Sequence, residues 1–441
     1  MQHITIYDYL LLPLYLFLFY ILVKRKSLKF TSPELRNIFL IAFGLRMFGS
    51  VAYSLMIQYY YGYGDAFGYY MGGNFIIEQI QNDVGNLKYF FYSGAEIQRV
   101  YINEEGSAGL LNGYIATTAS YTVMKASALI SVLSFNKFLI SSLFFALFSF
   151  AGQWKLFTVF NDINKGRNQK LMAIAILYTP AIWFWSSGLI KESLCMGGLG
   201  FIASILYNAI VKKRIGVTDW VLLFVFVYFV YIIKSYIILI LAATLFLTLL
   251  FLFLQRLKLF VLKLFLLIVT VFILLLVTSL YDFSGQINEL AKQSISQIEH
   301  FQLAYHNIQD EKINAAFKIE LIDPTLGNLV LRTPMVILSC LFRPFLWESN
   351  KLIILMSSLE STFLLLCTLF LLIKLKVFGL FKLLVEDPYV FFCFVFSMIL
   401  AAIIGFTTFN FGTMTRYKIV LLPFYYFLLV YIYSNLKKKK V

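Results

Sequence analysis

The sequence carries little charge for its length. Only 13% of its 441 residues are Asp, Glu, Lys or Arg, whereas 61% are hydrophobic. A soluble domain cannot bury so much apolar surface, so this composition excludes a water-soluble protein. Repeated apolar runs near the length of a bilayer span instead predict an all-α fold, a polytopic bundle of transmembrane helices in contact with the lipid bilayer.

Histidine and cysteine are also scarce. The three histidines, His3, His300 and His306, form no metal-ligand pattern, so no metal site is predicted from them. The four cysteines lie in apolar stretches without CxxC spacing, which is typical of small core residues. The chain lacks a nucleotide-binding loop and shows no repeat period of the kind found in transporters.

The net charge of +15 would suggest a nucleic-acid partner in a soluble protein. Here the basic residues form short clusters between apolar runs, as the cytoplasmic ends of membrane spans do, so we expect no nucleic acid. The clusters are Lys24/Arg25/Lys26/Lys29, Lys165/Arg167/Lys170, Lys212/Lys213/Arg214, Arg256/Lys258/Lys263, Lys374/Lys376/Lys382 and Lys437 to Lys440.

Placing every cluster in the cytoplasm predicts one integral membrane domain over residues 1–441, with about eleven spans. Its N-terminus would lie outside and its C-terminus in the cytoplasm. The predicted spans are 8–23, 36–57, 136–158, 171–187, 193–211, 217–233, 236–254, 260–280, 352–373, 388–406 and 417–435.

Four stretches do not fit as simple spans. Residues 109–132 and 328–346 are apolar but would break the charge pattern or contain prolines and arginines, so we expect re-entrant or interfacial helices on the outer face. Residues 58–108 form a predicted first outer loop, and residues 281–350 form a second outer segment.

Asp65 lies in the sequence Gly64-Asp65-Ala66-Phe67-Gly68-Tyr69-Tyr70, directly after the second predicted span. A carboxylate in a glycine-rich turn at the membrane surface can approach a substrate as a general base, or hold a divalent cation on a substrate phosphate. The alternative is a turn aspartate, or the N-cap of a helix that begins near Ala66.

Lys191 and Glu192 lie in the predicted turn between two spans. Lys191 could bind a phosphate, helped by the positive end of the following helix, while Glu192 could accept a hydroxyl proton. The alternative is a helix cap formed by Ser187 and Glu192.

Two further basic residues lie among apolar residues. Lys234 opposes the positive-inside trend in a predicted outer hairpin, which indicates either a functional charge or a lysine that extends to the headgroups. Arg46 falls inside the second predicted span, where it either pairs with an acid or extends toward a cavity.

Late in the chain, Arg343 and Glu348 could serve substrate binding or form an internal salt bridge. Asn410, Arg416 and Lys418 precede the last predicted span. We predict that they bind substrate, because a guanidinium on the outer side matches a phosphate or diphosphate.

At these residues the chain resembles the GT-C type of membrane glycosyltransferase, which uses polyprenyl-phosphate-linked sugars. The segment from Gly64 to Tyr70 looks like the first outer loop of that class, whose aspartate serves as catalytic acid/base or metal contact. Arg416-Tyr417-Lys418 followed by Pro423 looks like the arginine-tyrosine and proline pattern near the end of many such proteins.

The chain departs from that class in one feature: an extra predicted span precedes the loop that contains Asp65. With this extra span and the outer segment 281–350, the chain also resembles O-antigen and exopolysaccharide polymerases, which join lipid-linked repeat units on the outer face.

The resemblance implies a glycosyltransferase of envelope glycan assembly in a bacterial inner membrane. It would transfer a sugar or glycan from a polyprenyl-(di)phosphate carrier to a glycan or lipid acceptor, with no certain cofactor and a divalent cation as an option. Asp65 is expected as base, with Glu192 as second candidate. The alternatives are a repeat-unit polymerase, a lipid-linked glycan flippase and a non-catalytic membrane subunit.

Overall fold

The computed structural model describes residues 3–105, 117–256, 326–349, 352–408 and 410–438. These residues form helices joined by turns and short loops, with no strand among them. The predicted span 260–280, residues 281–325 of the second outer segment, and His300 and His306 lie outside the described residues.

The first half of the described chain contains eleven α-helices. They are α1 (Ile6–Ser27), α2 (Pro33–Met56), α3 (Asp65–Asn82), α4 (Gly94–Glu105), α5 (Thr118–Leu133), α6 (Phe138–Ile163), α7 (Gln169–Ala173), α8 (Pro180–Trp185), α9 (Lys191–Ile210), α10 (Val217–Ile233) and α11 (Ser235–Arg256). A π-helical turn, Ile57–Tyr61, extends α2, and a second one, Ile174–Tyr178, extends α7.

The later described residues form α12 (Leu326–Phe342), α13 (Leu352–Glu386), α14 (Pro388–Thr407), α15 (Phe411–Lys418) and α16 (Leu422–Lys438). Helix α13 is kinked at Lys376, whose φ of 55° is not helical. The chain divides into two compact units, the first made of Met1–Leu239 with Ser434–Val441 and the second of Ile240–Tyr433.

Seven helices of the described chain are long and apolar enough to cross a membrane, or eight if the bent pair α15 and α16 forms one span. The chain is therefore a multi-pass membrane protein, as its composition predicts. The count of about eleven spans stays a prediction, since the model supports seven or eight in the residues it describes. Segments 109–132 and 328–346 do contain helices, α5 and α12, and their position at the outer face is likewise still a prediction.

The predicted span 171–187 is not one regular helix. Pro180 begins α8 and has no N–H group that could continue the hydrogen bonding of the preceding helix. Its ring also disfavours a helical conformation of the residue before it, Thr179. Thr179 accordingly has a ψ of 123°, and its hydroxyl donates to the carbonyls of Ile174 and Ala175. The segment is thus a short apolar helix, a break and a second short helix.

Helices α6 and α9 cross very closely in the first unit. A Cβ atom on Gly152 would collide with the carbonyl oxygen of Gly197, and one on Gly200 with the carbonyl oxygen of Gly152. Small residues of this kind let helix backbones approach closely inside a membrane. The crossing fixes the start of α9, where Lys191 and Glu192 lie.

Different parts of the sequence meet at the two ends of helix α6. At one end, the backbone N–H of His3 donates to Gln58 Oε1 at 2.8 Å, and Asp8 accepts from the N–H of Leu139 at 3.0 Å. The N-terminus therefore shares an end with the start of the first outer loop. Far along α6, Asp162 pairs with Lys212 of a basic cluster at 2.7 Å.

Candidate functional site

Two glycines shape the backbone that leads to Asp65. Gly62, with a φ of 74°, ends the π-helical turn, and Gly64, with a φ of 150°, is the N-cap of α3. Both angles lie where residues with a Cβ are strained. Asp65 is thus the first residue of α3 and not its N-cap, which corrects that alternative, and its side chain is half-buried.

Helix α3 packs closely along α5. A Cβ atom on Gly72 would lie 2.5 Å from the sulfur of Met124, and one on Gly73 would lie 2.7 Å from the hydroxyl of Ser127. The absence of side chains at these two positions allows this approach. It places Tyr69 of α3 and Ser120 of α5 beside the start of α9.

Lys191, the first residue of α9, contacts both of these helices. Its Nζ donates to Ser120 Oγ at 3.0 Å and lies 5.7 Å from the ring centroid of Tyr69. Asp65 precedes Tyr69 by four residues and therefore lies about one turn away on the same side of α3. The glycine–aspartate motif and the lysine–glutamate motif accordingly meet in one region of the first unit.

Glu192 and Lys234 form a buried ion pair. Lys234 Nζ lies 2.8 Å from Glu192 Oε1, with side-chain exposures of 8% and 0%. Lys234 therefore does not extend to the headgroups, and it caps α10 from the break before α11. The N-cap of α9 is Ile190, and the Ser187 hydroxyl donates to Trp183, so the predicted helix cap by Ser187 and Glu192 is wrong.

The region of Tyr69, Ser120, Lys191, Glu192 and Lys234 is called the α9 cluster below. It holds two ammonium groups against one carboxylate, so its formal charge is +1. The positive end of the α9 dipole adds to this charge, and the combination suits an anion such as a phosphate. Asp65, one turn away, supplies a carboxylate beside it.

The second unit contains its own basic cluster. The Arg343 guanidinium donates to both carboxylate oxygens of Glu348, with Nε distances of 2.9 and 3.1 Å, and lies 5.3 Å from the ring centroid of Phe411. The salt-bridge alternative for these two residues is thus observed. Lys418 is 3% exposed and donates to the Arg343 carbonyl at 3.1 Å and to Ser361 Oγ at 2.9 Å.

The remaining predicted residues of the second unit have local contacts. Asn410 caps α15, because its side-chain oxygen accepts from the N–H groups of Gly412 and Thr413. The Arg416 guanidinium lies 5.5 Å from the ring centroid of Tyr417, and its side chain is half-exposed. The predicted role of these residues in binding substrate stays a prediction.

The sequence did not predict that Tyr69 and Ser120 contact Lys191, or that Ser361 contacts Lys418. No local pattern marks these residues, because each meets its lysine only through helix packing. Within the described ranges, no group of three or more His, Cys, Asp or Glu side chains could hold a metal ion.

Comparison with known proteins identifies no relative. No protein-family model matches the chain, and no curated protein or solved structure is significantly similar to it.

Proposed function

We propose that the chain is a bacterial inner-membrane glycosyltransferase that acts at the outer face. It transfers a sugar or glycan from a polyprenyl-(di)phosphate carrier to a glycan or lipid acceptor. The observation that carries this proposal is the contact of Lys191 with Tyr69, which brings the α9 cluster to within about one helical turn of Asp65.

The chemistry assigned to this region is a displacement at the anomeric carbon. Asp65 removes the proton of the acceptor hydroxyl, the acceptor oxygen bonds to the anomeric carbon, and the bond to the carrier phosphate breaks. Lys191 and the start of α9 stabilise the charge on the departing phosphate. The leaving group is already a stable anion, so one base and charge stabilisation suffice.

Asp65 is the better base of the two carboxylates. Glu192 is fully buried, and its Oε1 accepts a hydrogen bond from the Lys234 ammonium at 2.8 Å, so this carboxylate is held by Lys234 and closed to an acceptor hydroxyl. Asp65 is half-buried and lies at the start of a helix. This contrast supports a positioning role for Glu192 and the catalytic role for Asp65.

The test follows lipid-linked saccharides in a strain that lacks the chain and is complemented with variants. Asp65→Asn keeps the shape of the side chain but cannot accept a proton, so the donor lipid should accumulate in the outer leaflet. Asp219→Asn is the matched control, since Asp219 also lies in the first turn of a helix, α10, but close to the basic cluster Lys212/Lys213/Arg214.

Three outcomes are informative. Accumulation with Asp65→Asn and not with Asp219→Asn supports transfer. Donor lipid that accumulates in the inner leaflet instead supports the flippase alternative, and unchanged lipid levels contradict the role given to Asp65.

A further inference from the structure

Arg46 is a fully buried cation in the middle of α2. Its side chain is 1% exposed, and it lies about 20 Å along the helix axis from Pro33. One terminal nitrogen, Nη1, donates to Ser149 Oγ at 3.1 Å, to the Ser186 carbonyl at 2.9 Å and to the Ser186 hydroxyl. All of these partners are neutral.

No described carboxylate forms an ion pair with Arg46. The two carboxylates that are fully buried in the described first unit have other partners: Asp8 accepts from Thr5 and Leu139, and Glu192 pairs with Lys234. The alternative that Arg46 pairs with an acid of the bundle is therefore not observed in the described residues. A buried charge without a counter-ion is strongly unfavourable, so this site favours an anion.

The other terminal nitrogen of Arg46, Nη2, is buried and has no hydrogen-bond partner, and the same holds for the hydroxyls of Ser50, Ser54 and Ser142. Ser50 and Ser54 follow Arg46 at four-residue spacing and share its face of α2. Ser142 precedes Ser149 by seven residues, two turns, on α6. Buried polar atoms without partners commonly indicate a water or ion that contacts them.

The packing of α2 on α6 brings these hydroxyls to one side of Arg46. Phe39 contacts Trp154, with ring centroids 4.6 Å apart, and Arg46 contacts Ser149, so the two helices run antiparallel. Ser50 and Ser54 are consequently level with the part of α6 that precedes Ser149, where Ser142 lies. Hydroxyl donors thus follow Arg46 Nη2 along the α2–α6 interface.

We propose that Arg46 Nη2 and the hydroxyl of Ser50, one turn further along α2, bind a small inorganic anion of the halide class inside the first unit. A halide accepts hydrogen bonds from a guanidinium and hydroxyls in any direction, and it neutralises the buried charge. The close packing of Gly49 on Trp183, where a Cβ would lie 2.8 Å from the ring, favours a monatomic anion over a phosphate. This inference does not depend on the proposed function.

The experiment compares the full-length protein, extracted and kept in either sodium gluconate or sodium chloride at equal ionic strength. A ligand that binds the folded state raises the midpoint of thermal unfolding in a saturable way. Wild-type protein should show a rise of a few degrees with chloride or bromide. Ser50→Ala should need a higher chloride concentration for the same rise, and Arg46→Gln should show none.

The matched control is Ser397→Ala. Ser397 is also buried, and its hydroxyl has no hydrogen-bond partner, but it lies on α14 of the second unit. Its chloride response should equal that of the wild type. Bromide in place of chloride should also give an anomalous-scattering peak beside Arg46 in crystals of the wild-type protein, a result that does not require Arg46→Gln to fold.

Equal unfolding midpoints in gluconate and chloride, with no bromide peak beside Arg46, would overturn the proposal in favour of water alone. A chloride effect that Ser50→Ala leaves unchanged and a bromide peak elsewhere in the protein would overturn it as well.

Discussion

Buried charged side chains of the described chain have different kinds of partner. Lys234 and Glu192 pair with each other, Lys418 donates to a carbonyl and a hydroxyl, and Arg46 donates to serine groups. A charge at membrane depth is costly, so each such arrangement restricts which substitutions the residue tolerates. The ion pair gives the sharpest test at this scale, because both partners are known.

We predict that removing one partner of the pair is worse than removing both. Lys234→Met leaves the Glu192 carboxylate buried without its ammonium and should lower the free energy of unfolding by about 3–5 kcal/mol. Adding Glu192→Gln to Lys234→Met should recover much of that loss. Unfolding of the detergent-solubilised protein, followed by tryptophan fluorescence, measures both variants.

The double-mutant cycle separates this pair from general packing effects. If the losses of Lys234→Met and Glu192→Gln simply add, the two side chains are not coupled, and the buried ion pair does not stabilise the start of α9.

At the scale of elements, glycines decide which helices approach closely. The α6–α9 crossing depends on Gly152 and Gly200, and both are surrounded by backbone of the opposite helix. By contrast, Gly44 on α2 has no neighbouring atom within 4 Å of an added Cβ. Replacing glycine by alanine should therefore have opposite effects on stability at these two kinds of position.

We expect Gly200→Ala to destabilise the protein by about 1–3 kcal/mol, because the added methyl group forces the helices apart. Gly44→Ala should be neutral or stabilising by up to about 1 kcal/mol, since alanine favours a helix more than glycine does. Thermal unfolding of both variants checks this contrast. Equal effects would show that the crossing tolerates a wider separation.

Long apolar helices were predictable from the sequence because length and composition alone determine them. The predicted span 193–211 corresponds to α9, Lys191–Ile210, and the predicted span 388–406 to α14, Pro388–Thr407. The break within the predicted span 171–187 was harder to predict, although Pro180 is visible in the sequence, because the apolar composition of the segment suggests one continuous helix.

The partners of the candidate site residues were less predictable. Lys234 and Glu192 are 42 residues apart, and Lys191 and Ser120 are 71 apart. Their contacts arise from helix packing, which periodicity does not encode. The reverse holds for Arg343 and Glu348, which are only five residues apart, so the sequence itself suggests their salt bridge.

At the scale of the molecule, the positions of the basic clusters predict the orientation of the chain in the membrane. We predict that Arg99 on α4 is extracytoplasmic and that Lys212 is cytoplasmic. Both side chains are exposed on the protein, so a cysteine at either position should react with a maleimide wherever the reagent can reach that side of the membrane. A membrane-impermeant maleimide should label position 99 in intact cells and position 212 only after permeabilisation.

The labelling requires a background in which Cys367 is replaced, since it is the only free cysteine of the described chain that is not buried. Labelling of position 212, and not of position 99, in intact cells would reverse the orientation and place Asp65 in the cytoplasm.

The central claim is that Asp65, next to the α9 cluster, carries out transfer from a lipid-linked donor. The most direct measurement is the initial rate of saccharide transfer by the purified protein in proteoliposomes, with the donor lipid that accumulates in the deletion strain. Asp65→Asn should lower this rate by ~10²–10⁴-fold, the usual loss for a general base, while Asp219→Asn keeps the wild-type rate. A folded Asp65→Asn protein that transfers at the wild-type rate would contradict the account.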